Sequence, residues 1–253
     1  MTVTVDTRKW TEGRVVERYR WAERLYSLRV EAEIEPFEAG QFGRLGLVIG
    51  DRFVSRPYSY VNAPDERPLD FYFIVIPDGV LTPRLARLRP GDSVWVARRP
   101  AGLFTLGQVP DGRHLWLLAT GTALGPFLSI LKTETPWRRF EKIVLVHGVR
   151  TRAELAYQDT VEGFRRAHGD RFCFFANVTR ESCPGALPMR ITQAIESGEL
   201  ERRAGLEIRP EDSQVMICGN PDMVRDTVAL LERRGLRENL RKQPGQITIE
   251  RYW

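Results

Sequence analysis

Arg56-Pro57-Tyr58-Ser59-Tyr60 brings a cation, a hydroxyl and two aromatic rings together on one short stretch. In an extended chain Arg56, Tyr58 and Tyr60 share one face and Ser59 points the other way. That face suits a pyrophosphate at the guanidinium and a planar ring at the phenol. An ordinary strand with surface aromatics would look the same. A second group is Thr120-Gly121-Thr122-Ala123-Leu124-Gly125, a glycine-bearing loop between an apolar run and a helix opened by Pro126. Such a loop lets a dinucleotide approach the backbone at a helix start, although it is not GxGxxG. Cys218-Gly219-Asn220-Pro221 follows another apolar run, and Cys218 alone also reads as a buried core thiol. Arg150, Arg180 and Arg190 fall after two further apolar runs, where each is either an anion ligand or a solvated surface residue. Pro77-Asp78-Gly79 is a turn signal ahead of Thr82-Pro83-Arg84-Leu85.

The elements that must position these groups fall into two rhythms. Up to about Leu106 short alternating runs are separated by turns: residues 25–33, 46–49, 54–61, 69–76 and 93–97, with one short helix over 82–88. That spacing predicts an antiparallel barrel. Beyond Gly107 the pattern becomes strand then helix. Strands are expected at 115–119, 143–147, 172–178, 215–218 and 246–250. Helices are expected from Pro126 toward Lys132, along the Tyr157, Val161, Phe164, His168 spacing, over 191–197, and from Asn220 to Arg234 with Gly235 as the left-handed stop. Alternating βα units imply a Rossmann-like parallel sheet. The expected domains are 1–107 and 108–253, with the ligand edge just after Ala119, His147, Val178 and Cys218.

The chain has 253 residues with 42% hydrophobic and 28% charged, which excludes a disordered or collagen-like polypeptide. Cys173, Cys183 and Cys218 form no CxxC pair and have no histidine at finger spacing, so no metal site is expected. Sparse cysteines fit a reducing, cytoplasmic setting. The first residues carry no apolar run of a signal peptide, and the most apolar stretch, 115–131, is interrupted by Gly and Pro, so no membrane span is expected. The formal net charge is +5, with Arg greatly outnumbering Lys and no block of like charges. Two readings of the charge compete, a polyanion partner or docking of an acidic protein or nucleotide; a basic tail for nucleic acid is unsupported, whereas a folded basic patch that binds nucleic acid without catalysis is the rival of another class. His114, His147 and His168 share no motif, and His147 reads as a satisfied structural histidine.

Six segments in order resemble the ferredoxin–NADP reductase superfamily: Ala39-Gly40-Gln41-Phe42, Arg56-Pro57-Tyr58-Ser59, Val75-Ile76-Pro77-Asp78-Gly79 with Thr82, Ala119-Thr120-Gly121-Thr122-Ala123, Cys218-Gly219-Asn220-Pro221, and the ending Glu250-Arg251-Tyr252-Trp253. The last is similar to the bacterial ferredoxin/flavodoxin–NADP reductase branch. The resemblance implies an FAD-binding barrel and an NADP-binding α/β domain. It implies an FAD site of Arg56 on the pyrophosphate, Pro57, Tyr58 against the flavin ring, Ser59 near flavin N5, Ile76, Gly79, Val80, Leu81, Thr82 and Thr122. Tyr252 would cover the flavin face and Trp253 the adenine. It implies an NADP site of Thr120, Gly121, Thr122, Val149, Arg150, Thr179, Arg180, Arg190, Gly219, Asn220 and Pro221. Ser59, Cys218, Glu250 and Tyr252 would serve hydride transfer from NADPH to the flavin, with Glu250 supplying a proton. A one-electron carrier, an acidic ferredoxin or flavodoxin met transiently by a monomer, would complete the cycle. A flavin reductase or an oxygenase reductase component shares the fold.

Overall fold

The first strand of the chain is one that periodicity does not announce. β1, Trp10–Arg20, is rich in exposed charged residues, and only Gly13 and Val15 along it are buried. A register shift between Val15 and Glu17 further breaks its alternation. In the computed structural model, which describes residues 3–251, β1 is nonetheless central, pairing antiparallel with β2 (Leu25–Glu31) and with β6 (Ser93–Ala97). β3 (Phe42–Ile49), β4 (Arg52–Ser59) and β5 (Leu69–Ile74) complete a six-stranded antiparallel sheet in the order β4-β3-β6-β1-β2-β5. The sheet curls until its two edges meet at a bridge between Tyr60 and Phe71. Val15, Leu28, Val30, Leu45, Tyr60, Phe71, Phe73 and Val96 fill its interior. Tyr60 therefore belongs to the core, stacked on Phe37 with ring centroids 4.1 Å apart. A four-residue helix α1, Thr82–Leu85, follows β5 and is shorter than the 82–88 expected.

The second sheet has five strands, all parallel, in the order β11-β10-β7-β8-β9. These are β7 (His114–Thr120), β8 (Lys142–Val149), β9 (Phe172–Val178), β10 (Ser213–Gly219) and β11 (Ile247–Arg251). Between them lie α2 (Leu124–Leu131), α3 (Thr135–Arg139), α4 (Gln158–His168), α5 (Ile191–Glu196), α6 (Glu199–Ala204) and α7 (Pro221–Glu232). α3 and α6 escape sequence periodicity because each is too short to show one. One face of this sheet, with Trp116, Leu118, Val144, Val146, Val215 and Ile217, packs on Ile191, Ile195, Leu200, Val224 and Leu231. Among the described residues no helix is long and apolar enough to cross a membrane.

Contacts group the chain into two units. One runs up to Thr105 and adds Gly125–Lys132; the other comprises Leu106–Leu124 and the chain from Thr133 onward. The α2 segment joins the first unit for identifiable reasons. Ser129 Oγ donates to the Asn62 carbonyl at 2.7 Å, Lys132 pairs with Glu66 at 2.9 Å, and Phe127 lies against Phe104. Asn62, 2% exposed, is the hinge of this arrangement. Its Oδ1 accepts from Asp70 N–H and its Nδ2 donates to the carbonyls of Ala63 and Glu66. Asn62→Ala leaves several buried main-chain groups unpaired, each costing about 1–3 kcal/mol. Chemical denaturation should show the variant less stable by about 2–4 kcal/mol, since the losses are only partly additive.

Candidate coenzyme and flavin sites

The carboxyl edge of the parallel sheet is built by close approach of main chains. Gly219, ending β10, has φ +134°, and a Cβ there would sit 2.1 Å from Thr120 Oγ1 at the end of β7. This contact brings Asn220 N–H to Thr120 Oγ1 at 2.8 Å. Asn220 then caps α7, its Oδ1 accepting from the N–H groups of Asp222 and Met223, with Pro221 at the first helical position. On the neighbouring turn Gly121 has φ +56°, and no atom lies within 4 Å of where its Cβ would be. Thr120, Gly121, Thr122, Gly219, Asn220 and Pro221 are thus gathered at adjoining strand ends, because β7 and β10 are paired in parallel.

The loops after β8 and β9 are also joined. Arg180 N–H donates to the Arg150 carbonyl at 2.8 Å, and the Thr179 hydroxyl donates to the Val149 carbonyl at 3.2 Å. Val149 is buried, so only its main chain is available to a ligand. Arg150 is not an unattached surface cation. Glu154 accepts from its main-chain N–H at 2.9 Å and pairs with its guanidinium at 2.9 Å. Glu154 is a residue that sequence reasoning missed, though its spacing of four from Arg150 was visible. Arg180 is exposed, and Arg190, also exposed, starts α5 with its N–H on Gln193 Oε1 at 3.0 Å.

Parallel register also aligns Glu250, Cys218, Ala119, His147 and Ala176 in one row across all five strands. Cys218 is fully buried, and its thiol lies 3.9 Å from Glu250 Oε2. Burial pushes the Glu250 carboxyl up to about 7, against a smaller opposing effect of the thiol. His147 is fully buried too, and desolvation lowers it to about 4.

In the barrel unit Arg56 is exposed, and its NH1 donates to the Ser55 carbonyl at 2.8 Å. Tyr58 lies edge-on to Phe73 at 5.9 Å between centroids, and its Oη is buried without a hydrogen-bond partner among the described residues. Burial drives that phenol well above its usual range. Pro57 is half-buried and Ser59 is buried. The turn after β5 is closed by Gly79 N–H on the Ile76 carbonyl and by Ile76 N–H on Thr82 Oγ1, at 2.9 and 3.0 Å. Ile76 and Val80 project as exposed apolar side chains, 55% and 54% accessible, whereas Leu81 is a core residue. Tyr252 and Trp253 lie outside the described residues.

Residues 117–229 match the family model of the oxidoreductase NAD-binding domain. The flavodoxin/ferredoxin–NADP reductase of Shigella flexneri is 48% identical over 96% of this chain and 99% of its own length. The chain belongs to the flavodoxin/ferredoxin–NADP reductase family. Another member of this reductase family, the ferredoxin–NADP reductase of Pseudomonas aeruginosa, is 38% identical over 94% of this chain and 95% of its own. A solved ferredoxin NADP+ reductase from Neisseria gonorrhoeae, with bound FAD and NADP, superposes with a TM-score of 0.91 at 31% identity, covering 96% of this chain and 98% of that one.

Gly219→Ala is expected to break the Thr120–Asn220 contact, because the added methyl would sit 2.1 Å from Thr120 Oγ1, the acceptor itself, with the Thr120 main-chain N and O only 3.0 and 3.1 Å away and φ at +134°. Thermal unfolding should fall by several degrees, about what 1–3 kcal/mol of strain produces in a chain of this size. Affinity for NADP+ should fall with it, measured by calorimetry.

Proposed function

We propose that this reductase exchanges electrons between NADPH and a ferredoxin or flavodoxin, with FAD as its prosthetic group. The observation that carries the reading is the coenzyme edge itself. Two glycine turns with positive φ stand at neighbouring strand ends, and the Arg150 and Arg180 main chains are hydrogen-bonded beside them. The residues fit both groups. The buried, unpartnered Tyr58 Oη beside exposed Arg56 asks for a polar, ring-bearing ligand, and the open space at Gly121 asks for a main-chain-bound anion. FAD, when bound, accepts a hydride and releases electrons one at a time.

In this reading the barrel unit holds FAD. Arg56 meets the pyrophosphate, where a guanidinium can make paired charge-assisted hydrogen bonds. Tyr58 presents its ring to the isoalloxazine, Pro57 stiffens the strand that carries both, and Ser59 offers a hydroxyl near N5. Ile76 and Val80 give apolar contacts, and Gly79, Leu81 and Thr82 contribute main chain. The α/β unit holds NADP(H). Thr120, Gly121 and Thr122 receive it at the glycine turn, and Gly219, Asn220 and Pro221 line the opposite strand end. Arg150, Arg180 and Arg190, with Val149 and Thr179 supporting the loop, meet the 2′-phosphate. Each charge-assisted bond there contributes about 1.5–3 kcal/mol, so two of them favour NADPH over NADH by roughly a hundredfold or more. Cys218 aligns the nicotinamide, and Glu250 keeps a proton available near neutral pH. Tyr252 and Trp253 are proposed to cover the flavin and the adenine. The net charge of +5 suits a transient encounter with an acidic carrier, whose rate should fall as ionic strength rises. A cytoplasmic setting fits the sparse cysteines, and a monomer is what the family resemblance implies.

Three measurements bear on this. Arg56→Ala should purify with markedly less FAD, read from the ratio of visible to ultraviolet absorbance; full occupancy would refute the role of Arg56. Arg150→Ala combined with Arg190→Ala should shrink the ratio of kcat/KM for NADPH over NADH by about tenfold or more. An unchanged ratio would show that other groups read the 2′-phosphate. Glu250 is an acid whose folded-state pKa is raised, so its protonated form stabilises the fold. That contribution is present below about 4.5 and is lost as pH rises through about 7. Glu250→Gln should remove this part of the stability–pH profile and lower the turnover rate; a profile identical to the parent's would contradict the assignment.

A further inference from the structure

Among the described residues the His147 ring makes one hydrogen bond, and it falls on the glycine turn. Its Nε2 lies 2.9 Å from the Gly121 carbonyl oxygen. A carbonyl can only accept, so Nε2 carries the proton and the ring is the neutral Nε2–H tautomer. Nδ1 is buried and without a partner among the described residues. A leucine would fill this fully buried position without the cost of an unpaired ring nitrogen. The hydrogen bond to Gly121 is what the imidazole supplies in exchange.

The consequence lies on the other side of the same peptide. Gly121 O also accepts from Leu124 N–H, so two donors hold this carbonyl inward. The peptide unit is planar and trans, so the following N–H, that of Thr122, points opposite to the Gly121 carbonyl. Holding the carbonyl against His147 therefore aims the Thr122 N–H away from it. The first N–H groups of a helical run have no acceptor within the helix, and Thr122 stands at the start of the run that continues into α2. Gly121, at φ +56° with nothing near its Cβ position, has the freedom to turn the other way if that hold is lost.

We propose that His147 is a positioning residue for NADP(H), which locks the Gly121–Thr122 peptide with its N–H toward the coenzyme. This rests on the reading that the α/β unit binds NADP(H). Glu154 also acts electrostatically on the His147 ring, but the arginines after β8 and β9 are held by hydrogen bonds that His147 does not make, Glu154 on Arg150 and Arg180 N–H on the Arg150 carbonyl. Loss of His147 should therefore weaken the pyrophosphate and nicotinamide half of the coenzyme and spare the 2′-phosphate half. A merely structural histidine would affect both alike.

The test uses FAD-loaded protein and calorimetric titration with two probes, NADP+ and adenosine 2′-phosphate. His147→Leu removes the donor; His147→Gln keeps one, because the glutamine amide nitrogen reaches about as far along the side chain as Nε2. The expected result is a Kd for NADP+ raised about tenfold in His147→Leu, with the Kd for adenosine 2′-phosphate within about twofold of the parent and most of the NADP+ affinity recovered in His147→Gln. If His147→Leu does not fold, His147→Asn replaces it, since the shorter amide falls short of Gly121. Equal weakening of both probes, no weakening of NADP+, or a Gln variant as impaired as Leu would each overturn the proposal. Parent protein that binds neither probe would overturn the coenzyme reading along with it.

Discussion

The hydrogen bond from Asn220 N–H to Thr120 Oγ1, made possible by the side-chain-free approach of Gly219, fixes the ends of β7 and β10 against each other. The geometry of the coenzyme edge depends on it. Once these ends are fixed, the start of α7 is set by the Asn220 cap and the Gly121 turn is set on the adjoining strand. The remaining loops are joined in the same way, His147 to the Gly121 carbonyl and Arg180 N–H to the Arg150 carbonyl. Each of these bonds is worth about 1 kcal/mol taken singly. Their importance is geometric, because they determine which main-chain donors face outward at four successive strand ends.

The electrostatic design divides along the same lines. Cations lie on the loops, where Arg150 is steadied by Glu154 and stays 43% exposed. The row of Glu250, Cys218, Ala119, His147 and Ala176 holds less charge than its residue types suggest. Burial depresses His147 to about 4 and raises Glu250 to about 7, so the two groups move in opposite directions for one reason: the charged form of each is poorly solvated there. In the proposed reading, anionic phosphates would meet the positive groups on the loops, and Glu250 is the carboxyl of the row that can hold a proton near neutral pH.

Much of this was legible in the amino-acid sequence. The apolar β7, β8, β9 and β10 runs and the Asn220-Pro221 cap announce themselves because fully buried parallel strands are continuous hydrophobic segments and caps have few alternatives. β1 stayed hidden because its exposed face is charged and a register shift breaks its alternation. α2 reads as part of the βα rhythm, yet its residues from Gly125 onward pack with the barrel unit, because Ser129, Phe127 and Lys132 find their partners there. At the sites, residue types pointed to the candidate arginines and glycines. Tertiary contact alone revealed that Arg150 is clamped by Glu154, that Tyr60 is stacked in the core on Phe37 while Tyr58 lies edge-on to Phe73, and that His147 grips Gly121. Each of those depends on which strands become neighbours.

A coenzyme bound at this edge would pass its hydride to a flavin carried by the same chain. The most direct measurement is rapid anaerobic mixing of the FAD-loaded protein with NADPH, and separately with NADH, while the visible absorbance of the flavin is followed. Fast bleaching by NADPH and far slower bleaching by NADH at equal concentration is the predicted result. A flavin that keeps its colour with NADPH, or that bleaches equally fast with either coenzyme, would contradict it.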